Sequence, residues 1–197
     1  MRYLIFKIYT LKIFFNSIYS KILLKIWGVE YDIGLKILMC PILVKHKSAK
    51  IILGKNVTLN SDKKYYHLGM FSKVKLMADK KESIIKIGDN TRINGVCIHA
   101  FNIIEIGKNC LIAANTQIID SNGHLLSFDN PSNRKNTQDN GKPIIIKDDV
   151  WIGTGCIILG DTLIEKGAVI AANSVVKGHI PANCLYGGNP AKLIKKY

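Results

Sequence analysis

The sequence predicts an all-β fold, a parallel β-helix with one N-terminal helix, and three observations predict it. Ile146, Ile152, Ile158, Ile164, Ile170 and Val176 fall six apart without a miss. Four residues after each repeat start stand mostly small side chains: Val150, Cys156, Thr162, Ala168, Ser174 and Ile180. The same grammar returns upstream at Ile87, Ile93, Ile106, Ile112 and Ile118, with a fainter copy at Leu53 and Leu59. A helix repeats at about 3.6 residues and a strand at about 2, so a period of six fits neither alone. Three short strands with three corners make one triangular coil of about eighteen residues, and stacked coils bury a continuous aliphatic prism. Ordinary buried strands of a sandwich would instead be punctuated by turns roughly eight to twelve residues apart.

Taken in order, residues 1–30 read as a basic, partly amphipathic helix. Arg2, Lys7, Lys12, Lys21 and Lys25 interrupt its apolar residues, so the roughly twenty apolar residues of a membrane span are not there. No small-residue cleavage site follows. Attachment to the inner face of a membrane, packing on its own domain and packing on a neighbouring subunit all fit such a helix. Residues 31–187 form the β-helix domain, interrupted by a loop at 121–143, and 188–197 form a basic C-terminal tail or short helix. Small side chains at the repeating offset mark the corners, and Gly153, Gly155, Gly160, Gly167 and Gly178 allow further bends. Cys97, Cys110 and Cys156 each follow an aliphatic repeat start by four residues, and read as packing residues in the corner slot rather than nucleophiles. Five scattered cysteines imply reduced thiols and a cytoplasmic protein.

Twenty-eight Lys and Arg against fourteen Asp and Glu give a formal charge of +14, which favours anionic partners. Nucleic acid is disfavoured, because no basic run interleaves with aromatics and no helix-turn-helix or zinc-finger spacing occurs. No metal is expected either: His46, His67, His99, His124 and His179 include no close-set pair.

The repeat breaks once in its regular half. Ile118 and Ile146 are 28 residues apart, and the insert is polar, the expected location for chemistry on a rigid scaffold. At its entry stands Asp120-Ser121-Asn122-Gly123-His124. An imidazole, with an ordinary pKa of about 6.5, suits removal of a proton from a hydroxyl near neutral pH. A carboxylate or carbonyl at the other ring nitrogen would fix its tautomer. Asp120 suits that part, and equally a turn or a strand partner to lysine.

From Gly88 to Lys192 the chain resembles the hexapeptide acyltransferases, in particular the galactoside and maltose O-acetyltransferases and those of capsule and lipopolysaccharide. The motifs, in order, are Gly88–Asn94, Asp120–His124, Asp149–Thr154, Val169–Val176 and Gly188–Lys192, and the resemblance spans about residues 85–197. It implies a left-handed parallel β-helix, a homotrimer with active sites between subunits, and acetyl-CoA as co-substrate. It also implies His124 as general base, Asn94, Asp120, Asn122 and Trp151 at the acceptor, and Gly153, Thr154, Ala171 and Ala172 along the pantetheine. Trp151 would also wall the CoA site, and Lys177, Lys192 and Lys195 would meet the CoA phosphates. The sequence departs from the family at Asn122–Leu125, where relatives have an aromatic or aspartate before His-Pro, and at Lys177-Gly178, where they have Thr-Lys.

The expected reaction is acetyl transfer to a sugar hydroxyl, in the synthesis of a surface polysaccharide. A backbone N–H near Trp151 to Gly153 would hold the oxyanion. An amino-sugar N-acetyltransferase and a non-catalytic binding β-helix are the alternatives.

Overall fold

A computed structural model describes residues 2–197, with side chains from residue 7 onward. Met1 and the side chains of residues 2–6, within the expected N-terminal helix, lie outside it. Helix α1 (Arg2–Ile26) contains no Gly or Pro and ends at Gly28, whose φ of 61° is the left-handed C-terminal cap. Its inner side is buried through Ser20 and Leu24, closing the open end of the prism as a solenoid requires.

Strands then follow three to a coil. The first coil is β1 (Glu30–Tyr31), β2 (Lys36–Leu38) and β3 (Ile42–Lys45). The second is β4 (Lys50–Leu53), β5 (Thr58–Asn60) and β6 (Lys75–Ala78); the third is β7 (Ile84–Ile87), β8 (Arg92–Asn94) and β9 (Cys97–His99). Above them come β10 (Ile103–Ile106), β11 (Leu111–Ile112) and β12 (Gln117–Ile119), then β13 (Ile144–Ile146) and β14 (Trp151–Ile152). The long β15 (Ile157–Ile164) rounds a corner, ending the fifth coil and starting the sixth. After it come β16 (Val169–Ile170), β17 (Val175–Ile180), β18 (Cys184–Gly187) and β19 (Lys192–Lys196). The tail is thus extended rather than helical, folding back on β18 as the one antiparallel pair among the described residues.

All other pairings are parallel and unite equivalent strands of successive coils. One face runs β1-β4-β7-β10-β13-β15, the second β2-β5-β8-β11-β14-β16-β18, and the third β3-β6-β9-β12-β15. The six-residue series falls on the inside, with Ile146, Ile152, Ile158, Ile164, Ile170 and Val176 all at most 1% exposed. Each such burial stabilises by roughly 1.5–3 kcal/mol.

The corners are made differently from the expectation. The residues in the +4 slot, such as Cys110, Cys156, Ala168 and Ser174, are buried and fill the prism edge; burial pushes the Cys110 and Cys156 thiols up. The backbone actually turns one residue earlier, at Asn56, Asn90, Asn109 and Asp149, with φ of 55–60°. Asparagine and aspartate tolerate this left-handed conformation better than other residues with a Cβ. Their side chains stack into a ladder: Asn56 Nδ2 donates to Asn90 Oδ1 (3.1 Å), Asn90 Nδ2 to Asn109 Oδ1 (3.2 Å) and Asn109 Nδ2 to Asp149 Oδ1 (3.1 Å). Cys97 is not in a corner slot. Its coil is one residue short at Gly95, so Val96 takes the buried position and Cys97 opens β9 half-buried.

Candidate active site

The second face carries a groove of about 1020 Å³. Strand alternation turns one residue of each strand outward into it, and the parallel register stacks these residues in a column. Lys36, Thr58 and Arg92 form the end of that column toward α1; Leu111, Trp151 and Val169 continue it. The groove therefore has a cationic, polar end and an apolar end, and no Asp or Glu lines it among the described residues.

Asn60 and Asn94 stand beside the cationic end. Asn60 Nδ2 donates to Asn94 Oδ1 (3.1 Å) and Asn94 Nδ2 to the Ile112 carbonyl (3.0 Å), so the buried Asn94 is rigidly held, with one oxygen lone pair left. Over this end lies residues 61–74, an excursion the sequence reading missed. Its signal is the same as for the later loop: Leu59 and Leu76 are both core residues, yet 17 positions apart. Asn115 pins it, its amide donating to the Gly69 carbonyl (2.7 Å) and its oxygen accepting the Phe71 N–H (3.1 Å). Tyr65, Tyr66 and His67 thereby line the groove.

Trp151, Gly153, Thr154, Ala171 and Ala172 gather at the apolar end as expected. Gly153 has a structural reason to be glycine, since a Cβ there would lie 2.6 Å from the Ala172 nitrogen of the next coil. The Trp151 and Gly153 N–H groups already donate to the Ala168 (3.1 Å) and Ile170 (2.8 Å) carbonyls. The coil ladder consumes them, and they are not the free oxyanion donors anticipated. Lys177, Lys192 and Lys195 are exposed and outside the groove lining, although Lys195 Nζ lies 4.5 Å from the ring of Tyr197, which does line it.

His124 stands elsewhere, on the 121–143 loop between β12 and β13. Two aspartates tie the base of that loop. Asp120 is buried and its oxygens accept the Phe101 (2.7 Å) and Asn102 (2.8 Å) N–H groups; burial pushes its carboxyl up against those donors. It anchors the loop and does not touch the imidazole or the groove. Asp139 accepts from the Ser121 hydroxyl (2.8 Å), the Asn122 N–H (2.8 Å) and the Gly141 N–H (2.5 Å), joining both feet of the loop. Partial burial works against its ionisation, but the Asn122 and Gly141 N–H groups and the Ser121 hydroxyl hold it below the usual carboxylate value. The exposed Asn122 serves the loop base through its backbone rather than the groove.

Nδ1 of His124 lies 2.9 Å from the Thr137 carbonyl. A carbonyl can only accept, so Nδ1 is the donor, and in the neutral ring the lone pair is on Nε2. The part anticipated for a carboxylate is played by that carbonyl. Leu125 N–H caps Thr137 Oγ1 (3.0 Å), fixing the turn. The tip beyond holds Leu125, Leu126 and Phe128 exposed.

The profile of the bacterial transferase hexapeptide family (six repeats) matches residues 143–178, from β13 into β17. Within those residues the chain carries the repeat of this family. Its fold is accordingly the left-handed parallel β-helix. Among relatives, WbbJ of Escherichia coli K12, whose name assigns it provisionally to lipopolysaccharide biosynthesis as an O-acetyl transferase, is 35% identical over 120 residues, 58% of this chain and 61% of that protein. The hexapeptide-repeat acetyltransferase VCA0836 of Vibrio cholerae, solved with acetyl-coenzyme A, is 38% identical, with a TM-score of 0.51 over 57% of this chain and 60% of that one. The N-acyltransferase AntD of Bacillus cereus, at 20% identity, shares the fold across 92% of this chain and 90% of its own, with a TM-score of 0.62. The chain thus spans about three fifths of the length of WbbJ and VCA0836.

Proposed function

We propose that the protein transfers an acetyl group from acetyl-CoA to a hydroxyl of a sugar acceptor, with His124 as general base. The observation that carries this is the imidazole held on the Thr137 carbonyl, which leaves Nε2 as a proton acceptor. The groove supports it: small residues Ala171 and Ala172 leave room for an extended pantetheine beside Trp151, and the VCA0836 complex is a relative that binds acetyl-CoA. Arg92, Asn60, Asn94 and His67 at the other end suit a polar acceptor.

The site is completed between copies in a homotrimer. His124 is not among the residues lining the groove of its own chain, and the apolar side chains of the loop tip, Leu126 and Phe128, stay more than half exposed there, with Arg134 over the Phe128 ring. Exposed apolar clusters of that kind mark contact surfaces. In the reaction the acceptor oxygen attacks the thioester carbonyl while Nε2 takes its proton; the O–C bond forms, the C–S bond breaks, and the proton passes to the departing thiolate. The thioester is already activated, so positioning supplies most of the rate.

The reaction belongs in the cytoplasm, and the polysaccharide link rests on the likeness to WbbJ. Incubating the purified protein with acetyl-CoA and a panel of sugars and amino sugars, read by thiol release and product mass, tests this. O-acetylated sugar is expected. Thiol release confined to amino sugars would assign N-acetylation, and the absence of any thermal shift with acetyl-CoA would remove the reading.

A further inference from the structure

Helix α1 turns to solvent an apolar stripe that nothing among the described residues covers. Ile8, Leu11, Phe15, Ile18, Ile22 and Ile26 are 44–74% exposed. Their spacing of three and four residues places them within an arc of roughly 100°. Tyr19 extends one margin and Phe14 the other, both more than half exposed. The opposite side of the helix, through Ser20 and Leu24, is packed on the body, so the stripe is not a core face in a poor position. Scattered exposed leucines are ordinary; a continuous stripe of this length is an interaction surface.

The charges say what covers it. Lys12 stands beside one margin of the stripe, Lys21 and Lys25 beside the other, and the helix contains no Asp or Glu. Lysines in that position extend their charge from the edge of an apolar layer while their stems stay in it. Trp27, 40% exposed at the helix end, is the residue type that settles at a membrane–water boundary. No helix among the described residues is long and apolar enough to cross a bilayer. A second copy of the helix is a poor partner, because face-to-face packing wants opposite charges along the seam, and here both sides would bring only lysines.

We propose that α1 lies in the surface of an anionic lipid bilayer, its stripe among the acyl chains and its lysines at the phosphates. The helix also carries Tyr9 against Tyr65, ring centroids 4.6 Å apart, and Tyr65 lines the groove. The membrane-bound element and the cationic end of the groove are therefore one packed unit. An acceptor tethered to the same membrane meets the protein at that end.

Flotation of the full-length protein with vesicles tests this without reference to catalysis. With phosphatidylcholine vesicles containing phosphatidylglycerol the protein floats, and with phosphatidylcholine alone it stays behind. F15E/I22E alters two exposed positions, keeps its melting temperature and loses flotation; K12E/K21E keeps the stripe and partitions about tenfold or more weakly. The proposal is overturned if the unaltered protein ignores the anionic vesicles or if F15E/I22E floats as well as it does. It is equally overturned if F15E/I22E only lowers the mass of the oligomer, which would make the stripe a contact between copies.

Discussion

The part proposed for His124 depends on a backbone atom thirteen residues away. The Thr137 carbonyl decides which ring nitrogen carries the proton, and so which one can accept another. Replacing His124 with Ala is expected to lower kcat by about a hundredfold or more while CoA binding, measured by calorimetry, stays intact; unchanged turnover would take this residue out of the reaction. In the proposed reaction Asp139 stands one step back, as a positioning residue, because it closes the loop base. Asp139→Ala should lower kcat while leaving the KM for acetyl-CoA near its original value, and Asp139→Asn should restore part of the loss. Its folded pKa lies below the ordinary 3.8. The stabilisation is therefore fully present above that value and lost as pH falls through the lower folded one. Melting scans should thus show the unaltered protein and Asp139→Ala converging in acid and separating toward neutral pH. His124 was legible as a candidate because it sits where a strict period stops. Asp139 was not: a single aspartate in a polar stretch resembles its neighbours until the fold brings Ser121, Asn122 and Gly141 around it.

At the scale of elements, the six-residue period located the buried rows, because only a prism buries every sixth side chain. It misplaced the corners. The small +4 residues mark a filled edge, whereas the turn itself belongs to the asparagine before it, visible in the sequence as the recurring Gly-Lys-Asn and Gly-Asp-Asn. Asn109→Ala should destabilise the protein by about 1–3 kcal/mol, through strain at positive φ and the loss of two ladder bonds. Asn109→Gly should recover the strain part alone, as denaturant titration of the two variants can show; equal costs would mean that φ is not the issue. The excursion at 61–74 escaped notice because the repeat around it is faint: two aliphatic neighbours at 59 and 76 say little without the coils that align them. In the fold it brings Tyr65, Tyr66 and His67 over the groove, and with them most of the acceptor side of the candidate site.

For the whole molecule, stacking converts a one-dimensional repeat into a column of outward side chains, and position along the sequence becomes position along the groove. Thus Lys36 and Arg92, 56 residues apart, share one end, and Trp151 occupies the other. Composition reports the excess of positive charge but not its distribution, which only the coil register shows. The imidazole lies outside the groove lining of its own chain, and the proposed site therefore draws on a second copy. Light scattering after gel filtration should give three times the 22.0 kDa of the chain, and Phe128→Glu at the loop tip should lower that mass and the activity together. A monomer with full activity would contradict the shared site. The most direct test is a crystal structure of the oligomer with coenzyme A. The account predicts the pantetheine beside Trp151 and Ala172 of one copy, its sulfur within about 4 Å of the His124 Nε2 of another; a thiol lying far from every His124 would contradict it.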